Sequence, residues 1–165
     1  MNHPLAEMLR YNRWATLRLL EACRSLPEEA LDYRLPAASG SVRELLLHLI
    51  GSQQTFALRS EGHPAEGELT RSTPWPGFDA LAEAATTSAD ALVAMAETLE
   101  ADAEVSSPFR GKSYRYPKSF FLVHAMAHGT EHRTEVALTL AHFGIATPDL
   151  DGWQYAAAAG YGGEE

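Results

Sequence analysis

Apolar residues recur at three- and four-residue spacing in long stretches of this chain, and segments rich in proline, glycine and polar residues separate those stretches. Such spacing places apolar side chains on one face of an amphipathic helix. The predicted helices cover residues 4–25, 42–60, 79–99 and 118–142. The pattern predicts an all-α fold, a four-helix bundle with a long loop between helices two and three.

Local signals define several ends of these helices. Pro4 suits an early helical position, where its missing N–H costs nothing. Ser41 and Glu44 have the Ser-x-x-Glu spacing of a capping box, in which each side chain accepts a hydrogen bond from the other residue's backbone. Gly144 follows the last predicted helix and is typical of a glycine stop.

Two segments lack a helical pattern. Residues 62–78 are dense in proline and glycine, which predicts a long surface loop. Residues 105–116 mix proline, glycine, aromatic and basic residues, which predicts an irregular crossing or a short hairpin. Near the end of the chain, residues 156–159 are expected to form at most a brief helical turn.

Length and charge limit the classes of function. The chain has 165 residues, which fits one domain over residues 1–165. Its 22 acidic residues outnumber its 13 basic residues, and the formal net charge of −9 repels the phosphates of nucleic acids and anionic lipids. We therefore expect a small-molecule substrate, with no nucleic acid and no membrane as partner.

The location is predicted from what the sequence lacks and from its single cysteine. No apolar stretch approaches the ~20 residues of a membrane span, and the first residues lack the basic and apolar segments of a signal peptide. Cys23 has no second cysteine to pair with, which is typical of a reducing compartment. We expect a cytoplasmic protein in which Cys23 is a small buried core residue.

Histidines supply the candidate chemistry. His124, His128 and His132 are four residues apart in the last predicted helix and share one face. Two imidazoles at this spacing can bind one metal ion, although histidines on such a face can also simply bond to neighbouring helices. His48 is expected to point inward from helix two, and bundles build metal sites from facing helices. Spacing alone leaves open which of His124, His128 and His132 would join it.

A rival interpretation uses the same helix. Residues 128–132 also spell the His-x-x-Glu-His motif of inverted zinc peptidases, in which Glu131 would be the general base. Only 33 residues follow His132, too few for the downstream acidic ligand of such enzymes. In a bundle, Glu131 would face outward, whereas Glu135 could orient a ligand imidazole.

Three segments together resemble the DinB/YfiT-like metalloprotein superfamily. They are residues 11–15 with 19–21 in helix one, residues 44–49 in helix two, and residues 124–133 in helix four. The resemblance covers nearly the whole chain and implies that His48, His128 and His132 are the metal ligands. It then implies that His124, one turn away, is a neighbour rather than a ligand. Thr16 departs from the asparagine often found there, and Thr134-Glu135 replace a common Gly-Gln.

The same resemblance implies an activity. Three neutral imidazoles leave open positions on a divalent ion, as in catalytic sites, and availability favours zinc, with nickel as an alternative. Members of the superfamily include transferases that use a low-molecular-weight thiol such as bacillithiol in stress response or detoxification. The alternatives are a metal-dependent hydrolase of small amides or esters and a non-enzymatic metal-binding stress protein.

The resemblance also makes a homodimer possible, because the family often associates through its helices. Tyr11, Trp14 and Phe56 could lie in such an interface or in the core. We expect them in the core.

Overall fold

The computed structural model describes residues 3–65 and 69–162, so part of the predicted 62–78 loop lies outside the described residues. The described chain is mostly helical, with five α-helices, one short 3-10 helix and a two-stranded sheet. The helices are α1 (Pro4–Arg24), a 3-10 helix (Glu28–Asp32), α2 (Val42–Ser60), α3 (Phe78–Glu97), α4 (Lys118–His142) and α5 (Gly152–Ala158). The strands are β1 (Glu104–Phe109) and β2 (Lys112–Pro117).

The four long helices begin and end within two residues of the predicted positions. The capping box of α2 is present: the Glu44 N–H donates to Ser41 Oγ, and the Ser41 N–H donates to the Glu44 carboxylate at 2.8 Å. Each of α1 and α2 packs against both α3 and α4. Among the described residues, no helix is both long and apolar enough to cross a membrane.

The segment between α3 and α4 forms an antiparallel hairpin, one of the two structures predicted for residues 105–116, so the fold is mostly rather than entirely helical. Arg110 and Gly111 connect its strands and both have positive φ, 50° and 73°, as a two-residue hairpin turn requires. Phe109 and Tyr116 of the hairpin lie close to the Arg59 guanidinium of α2, which stabilises the hairpin on the helices by cation–π contact. Helix α5 is longer than the brief turn expected near residues 156–159.

Cys23 and the three aromatic residues considered for the core have different environments. Cys23 is fully buried, as predicted, and burial raises the pKa of its thiol to about 12. Phe56 is also buried. Tyr11 and Trp14 are only partly buried, and both pack against Tyr155 of α5.

Buried apolar side chains form two clusters, and polar residues separate these clusters along every long helix. One cluster contains the second half of α1 and the first half of α2, and the other contains the opposite ends of both helices. We call the buried polar residues between them the polar layer. It comprises Asn12, Thr16, Gln53, Ser88, His132 and Arg133.

Hydrogen bonds within the polar layer join the four long helices. Arg133 Nη1 of α4 donates to Asn12 Oδ1 of α1 at 2.6 Å, and Asn12 Nδ2 donates to Gln53 Oε1 of α2 at 3.3 Å. Gln53 Nε2 in turn donates to the Ala85 carbonyl and to Ser88 Oγ of α3. Because buried polar groups are costly when unpaired, these bonds restrict how the helices can be placed.

Gly129 makes the central contact possible. A Cβ atom at this position would lie 2.4 Å from Asn12 Oδ1 and 2.8 Å from Arg133 Nη1, much closer than any real contact. Both neighbouring side chains are buried and held by hydrogen bonds, so neither can move aside freely. Glycine therefore allows α1 to approach α4 between His128 and His132.

Replacing Gly129 with alanine is expected to destabilise the protein by about 1–3 kcal/mol, because the added methyl group disrupts the buried hydrogen bonds. The free energy of unfolding from a urea titration measures this change. Gly152→Ala is the matched control, because a Cβ there meets nothing within 4 Å. Equal stability of the two variants would contradict the role assigned to Gly129.

Candidate metal centre

The structure brings His48, His128 and His132 together where α2 packs against α4. His48 lies in the first half of α2, and the other two lie one turn apart on α4. The three ring centroids are 4.3–4.9 Å apart. One nitrogen from each ring lies within 4.8 Å of the other two, so the cluster could hold a metal ion.

The ring nitrogens of the three histidines are close enough together to share one metal ion. The Nε2 atoms of His48 and His128 are 3.2 Å apart, a separation that fits two imidazoles bound to one ion at ~2.0–2.1 Å. On the opposite side of its ring, His132 Nδ1 lies 2.5 Å from Glu135 Oε2. His48 Nδ1 similarly lies 3.4 Å from Ser52 Oγ.

Glu135 orients His132, as the sequence suggested. A carboxylate that accepts the Nδ1 proton fixes the ring and leaves Nε2 free to bind a metal. The Glu135 carboxylate also accepts hydrogen bonds from the Ser39 N–H and hydroxyl, each at 3.0 Å. Burial acts to raise the pKa of Glu135, but the bonds from Ser39 and His132 outweigh it, so the pKa lies below its ordinary value.

The electrostatic environment keeps two of the imidazoles neutral. Burial, followed by the positive charge of Arg71, lowers the pKa of His48 to about 4. Burial and the neighbouring histidines lower the pKa of His128 to about 3. Neutral imidazole is the form that binds metals, so these two rings need lose no proton at neutral pH.

His124 and Glu131 lie outside this cluster. His124 stacks on Phe56 with ring centroids 4.4 Å apart and lies beside Phe120, which agrees with its prediction as a neighbour. Glu131 is on the exposed face of α4. The arrangement therefore does not support the peptidase interpretation, which required Glu131 as a base at the metal.

Two supporting residues were not found from the sequence. Ser39 bonds to Glu135 across 96 residues, and Arg71 donates from Nη2 to Ser39 Oγ at 3.1 Å. Both lie in segments between helices, where periodicity gives no information about contacts. The only available signal was the small Ser39-Gly40-Ser41 segment before α2, which leaves room for another side chain.

The helical fold and the histidine cluster define a protein with a candidate three-histidine metal site. The DinB family model matches residues 1–165, and the chain belongs to the DinB family. A crystal structure of a DinB-like protein from Bacillus cereus ATCC 10987 has a similar fold, with a TM-score of 0.64 and 19% sequence identity. The match covers 90% of this chain and 99% of that one. Among curated proteins, none is significantly similar in sequence.

Alanine at His48, His128 or His132 is expected to weaken zinc binding by more than ~100-fold, beyond the effect of losing an outer-shell partner. Wild-type protein should bind one zinc ion per chain in competition with a chromophoric chelator. His124→Ala and the exposed His63→Ala are the controls and should bind as wild type does. Tight zinc binding by all three alanine variants would refute the proposed ligand set.

The metal-free protein is expected to lose stability as the pH falls from 6.5 to 4. His48 and His128 stay neutral in the folded state but bind protons once unfolded, so acid favours unfolding. We expect the free energy of unfolding to fall by on the order of 1 kcal/mol per pH unit for the pair. This is well below the value for two fully buried groups, because both rings are partly exposed and solvent screens them. Urea titrations at several pH values measure the slope.

The matched control for this experiment replaces both histidines with asparagine. Its free energy of unfolding should depend less on pH in the same range, because the two groups that gain protons on unfolding are gone. Equal slopes for the variant and the wild type would show that the two histidines are not responsible.

Proposed function

We propose that this protein is a metal-dependent enzyme that transfers a low-molecular-weight thiol, bacillithiol or a similar compound, to small electrophiles in stress response or detoxification. The observation that carries the proposal is the cluster of His48, His128 and His132 in a member of the DinB family. Three imidazole ligands leave positions on a divalent ion at which a substrate can bind.

Different residues of the chain would bind the metal ion and orient its ligands at such a site. His48, His128 and His132 would hold the ion, and Glu135 fixes the His132 ring through Nδ1. A bound divalent ion supplies a Lewis acid that lowers the pKa of a thiol or water. We propose zinc as the ion, with nickel as the alternative, since imidazole suits both.

The thiol in this proposal comes from outside the protein. Cys23 is the only cysteine of the chain, it is fully buried, and its pKa is raised to about 12. A thiol in that state is neither accessible nor ionised, so it cannot be the nucleophile. This supports a separate thiol cosubstrate over a covalent mechanism on the protein.

We propose a single domain whose four long helices form a four-helix bundle, located in the cytoplasm and acting on small molecules. We also propose a homodimer, because members of the family often associate through their helices. The net charge of −9 supports the absence of nucleic acid and membrane partners.

Conjugation of monochlorobimane tests the activity. Zinc-loaded protein is assayed with bacillithiol, glutathione and other small thiols, and we expect turnover with at least one of them. His128→Ala should be inactive, whereas His124→Ala should keep activity. Absence of metal-dependent turnover with every thiol would contradict the proposal. Metal-dependent cleavage of small amides or esters without a thiol would instead indicate a hydrolase.

A further inference from the structure

A groove runs along α4 between that helix, α1 and the segment that follows α4. Its volume is about 300 Å³, enough for a small molecule. Side chains of α4 form one wall and residues 147–150 contribute to the other, which the Tyr11 hydroxyl holds by donating to the Leu150 carbonyl at 2.7 Å. Because an α-helix turns ~100° per residue, Thr130 in this groove lies on the opposite side of α4 from His128 of the candidate metal centre.

The two ends of the groove differ in polarity. The hydroxyl groups of Thr130 and Thr134 line the end nearer the start of α4. The apolar side chains of Ala137, Leu138 and Ala141 line the other end. Leu138 is 58% exposed, so much of its apolar surface faces water when the groove is empty. The groove therefore suits a ligand with one polar end and one apolar end.

The guanidinium of Arg133 reaches the polar end of the groove from the interior, and Arg133 is one of the residues that line it. Its Nη1 donates to the buried oxygens of Asn12 and Thr16, at 2.6 and 3.1 Å. Its Nη2 donates in the other direction, to the hydroxyl of the exposed Thr130 at 3.3 Å. Within residues 3–65 and 69–162, Thr130 is the one acceptor of Nη2, so the second N–H of Nη2 is left for a ligand.

The charge of Arg133 is not balanced by a carboxylate of the part of the chain that the structure describes, since none lies within 4.0 Å of its nitrogens. Five acidic residues belong to the surrounding segments, and none of them lines the groove: Glu7, Glu131, Glu135, Asp149 and Asp151. Glu7 and Glu135 accept hydrogen bonds from other side chains. Asp149 and Asp151 accept from backbone N–H groups at the start of α5.

We propose that this groove binds a monocarboxylate with a short apolar tail, with the carboxylate at Arg133 and Thr130 and the tail along the apolar residues around Leu138. A guanidinium matches a carboxylate with charge-assisted hydrogen bonds. Its single positive charge calls for a single negative charge, and the net charge of −9 on the chain opposes multiply charged anions such as phosphate. The inference does not depend on the proposed function, because the metal centre lies on the opposite side of α4.

Titrations followed by ¹⁵N–¹H NMR of the full chain, with and without zinc, test the site. The ligands are hexanoate, the neutral hexanamide with the same tail, and acetate, which lacks the tail. We expect hexanoate to bind about 10-fold more tightly than hexanamide, the effect of one charge-assisted contact. It should also bind at least about 10-fold more tightly than acetate, because its tail buries apolar surface. The amide signals of Thr134 and Leu138 should shift, and the affinities should not depend on zinc.

Two variants of exposed apolar residues on α4 form a matched pair. Leu138→Glu places a negative charge at the groove and should weaken hexanoate binding by about 10-fold. Val123→Glu makes the same change outside the groove, at a residue that is 54% exposed, and should bind as wild type does. Arg133→Met should lose the preference for hexanoate over hexanamide. Circular dichroism checks that Arg133→Met folds, and if it does not, the matched pair decides.

Three outcomes would overturn the inference. Equal affinity of wild type for hexanoate and hexanamide would show that no positive charge meets the ligand. Equal hexanoate affinity of Leu138→Glu and Val123→Glu would place the ligand outside the groove. Binding of hexanoate only in the presence of zinc would show that its carboxylate binds the metal instead. None of these outcomes changes the expected thiol conjugation, so the proposed function is tested separately.

Discussion

The buried guanidinium of Arg133 is the constraint on which the arrangement of the helices depends. It is only 3% exposed, and burial lowers its pKa to about 10, so it is still charged at neutral pH. The Arg133 guanidinium donates hydrogen bonds to neutral oxygens, those of Asn12, Thr16 and Thr130. An uncompensated buried charge is costly unless its donors are satisfied, so α1 and α4 must hold these oxygens in place.

The candidate metal site lies next to the polar layer along the helices. His132 immediately precedes Arg133, and Gly129 lies between His128 and His132, so the bonds that fix α4 against α1 also fix the two histidines that α4 contributes. The apolar clusters on either side stabilise the fold, but hydrophobic contacts do not depend on direction and so do not fix the relative positions of the helices. The hydrogen bonds of the polar layer fix the relative positions of the helices, because hydrogen bonds tolerate little change in distance or angle.

The candidate ligands and their supporting groups lie in different kinds of structure. The three histidines are on helices, whereas Ser39 and Arg71 are on connecting segments. Arg71 donates a hydrogen bond to Ser39, which in turn donates to Glu135. A site built this way can keep its metal-binding residues while loop residues change. Thr16 and Glu135, by contrast, lie on helices: Thr16 accepts a hydrogen bond from Arg133, and Glu135 accepts hydrogen bonds from His132 and Ser39.

Much of the fold and the histidine cluster could be predicted because both depend on regular spacing. Helical periodicity gave the long helices, Ser41 and Glu44 gave the start of α2, and steps of four residues gave the shared face of His128 and His132. The pairing of β1 with β2 was left open, since residues 105–116 allowed an irregular crossing as well. The contacts of Ser39 and Arg71 could not be predicted, because they join loop residues to residues far away in the chain.

The burial of Cys23 has a practical side for spectroscopy of this molecule. Because its thiol is buried and un-ionised at neutral pH, the folded chain should not react with maleimides and other labels that require a thiolate nucleophile. A single cysteine engineered into an exposed loop would then carry the sole label. Fluorophores or spin labels could report the motion of the segment around Arg71 without first removing the native cysteine.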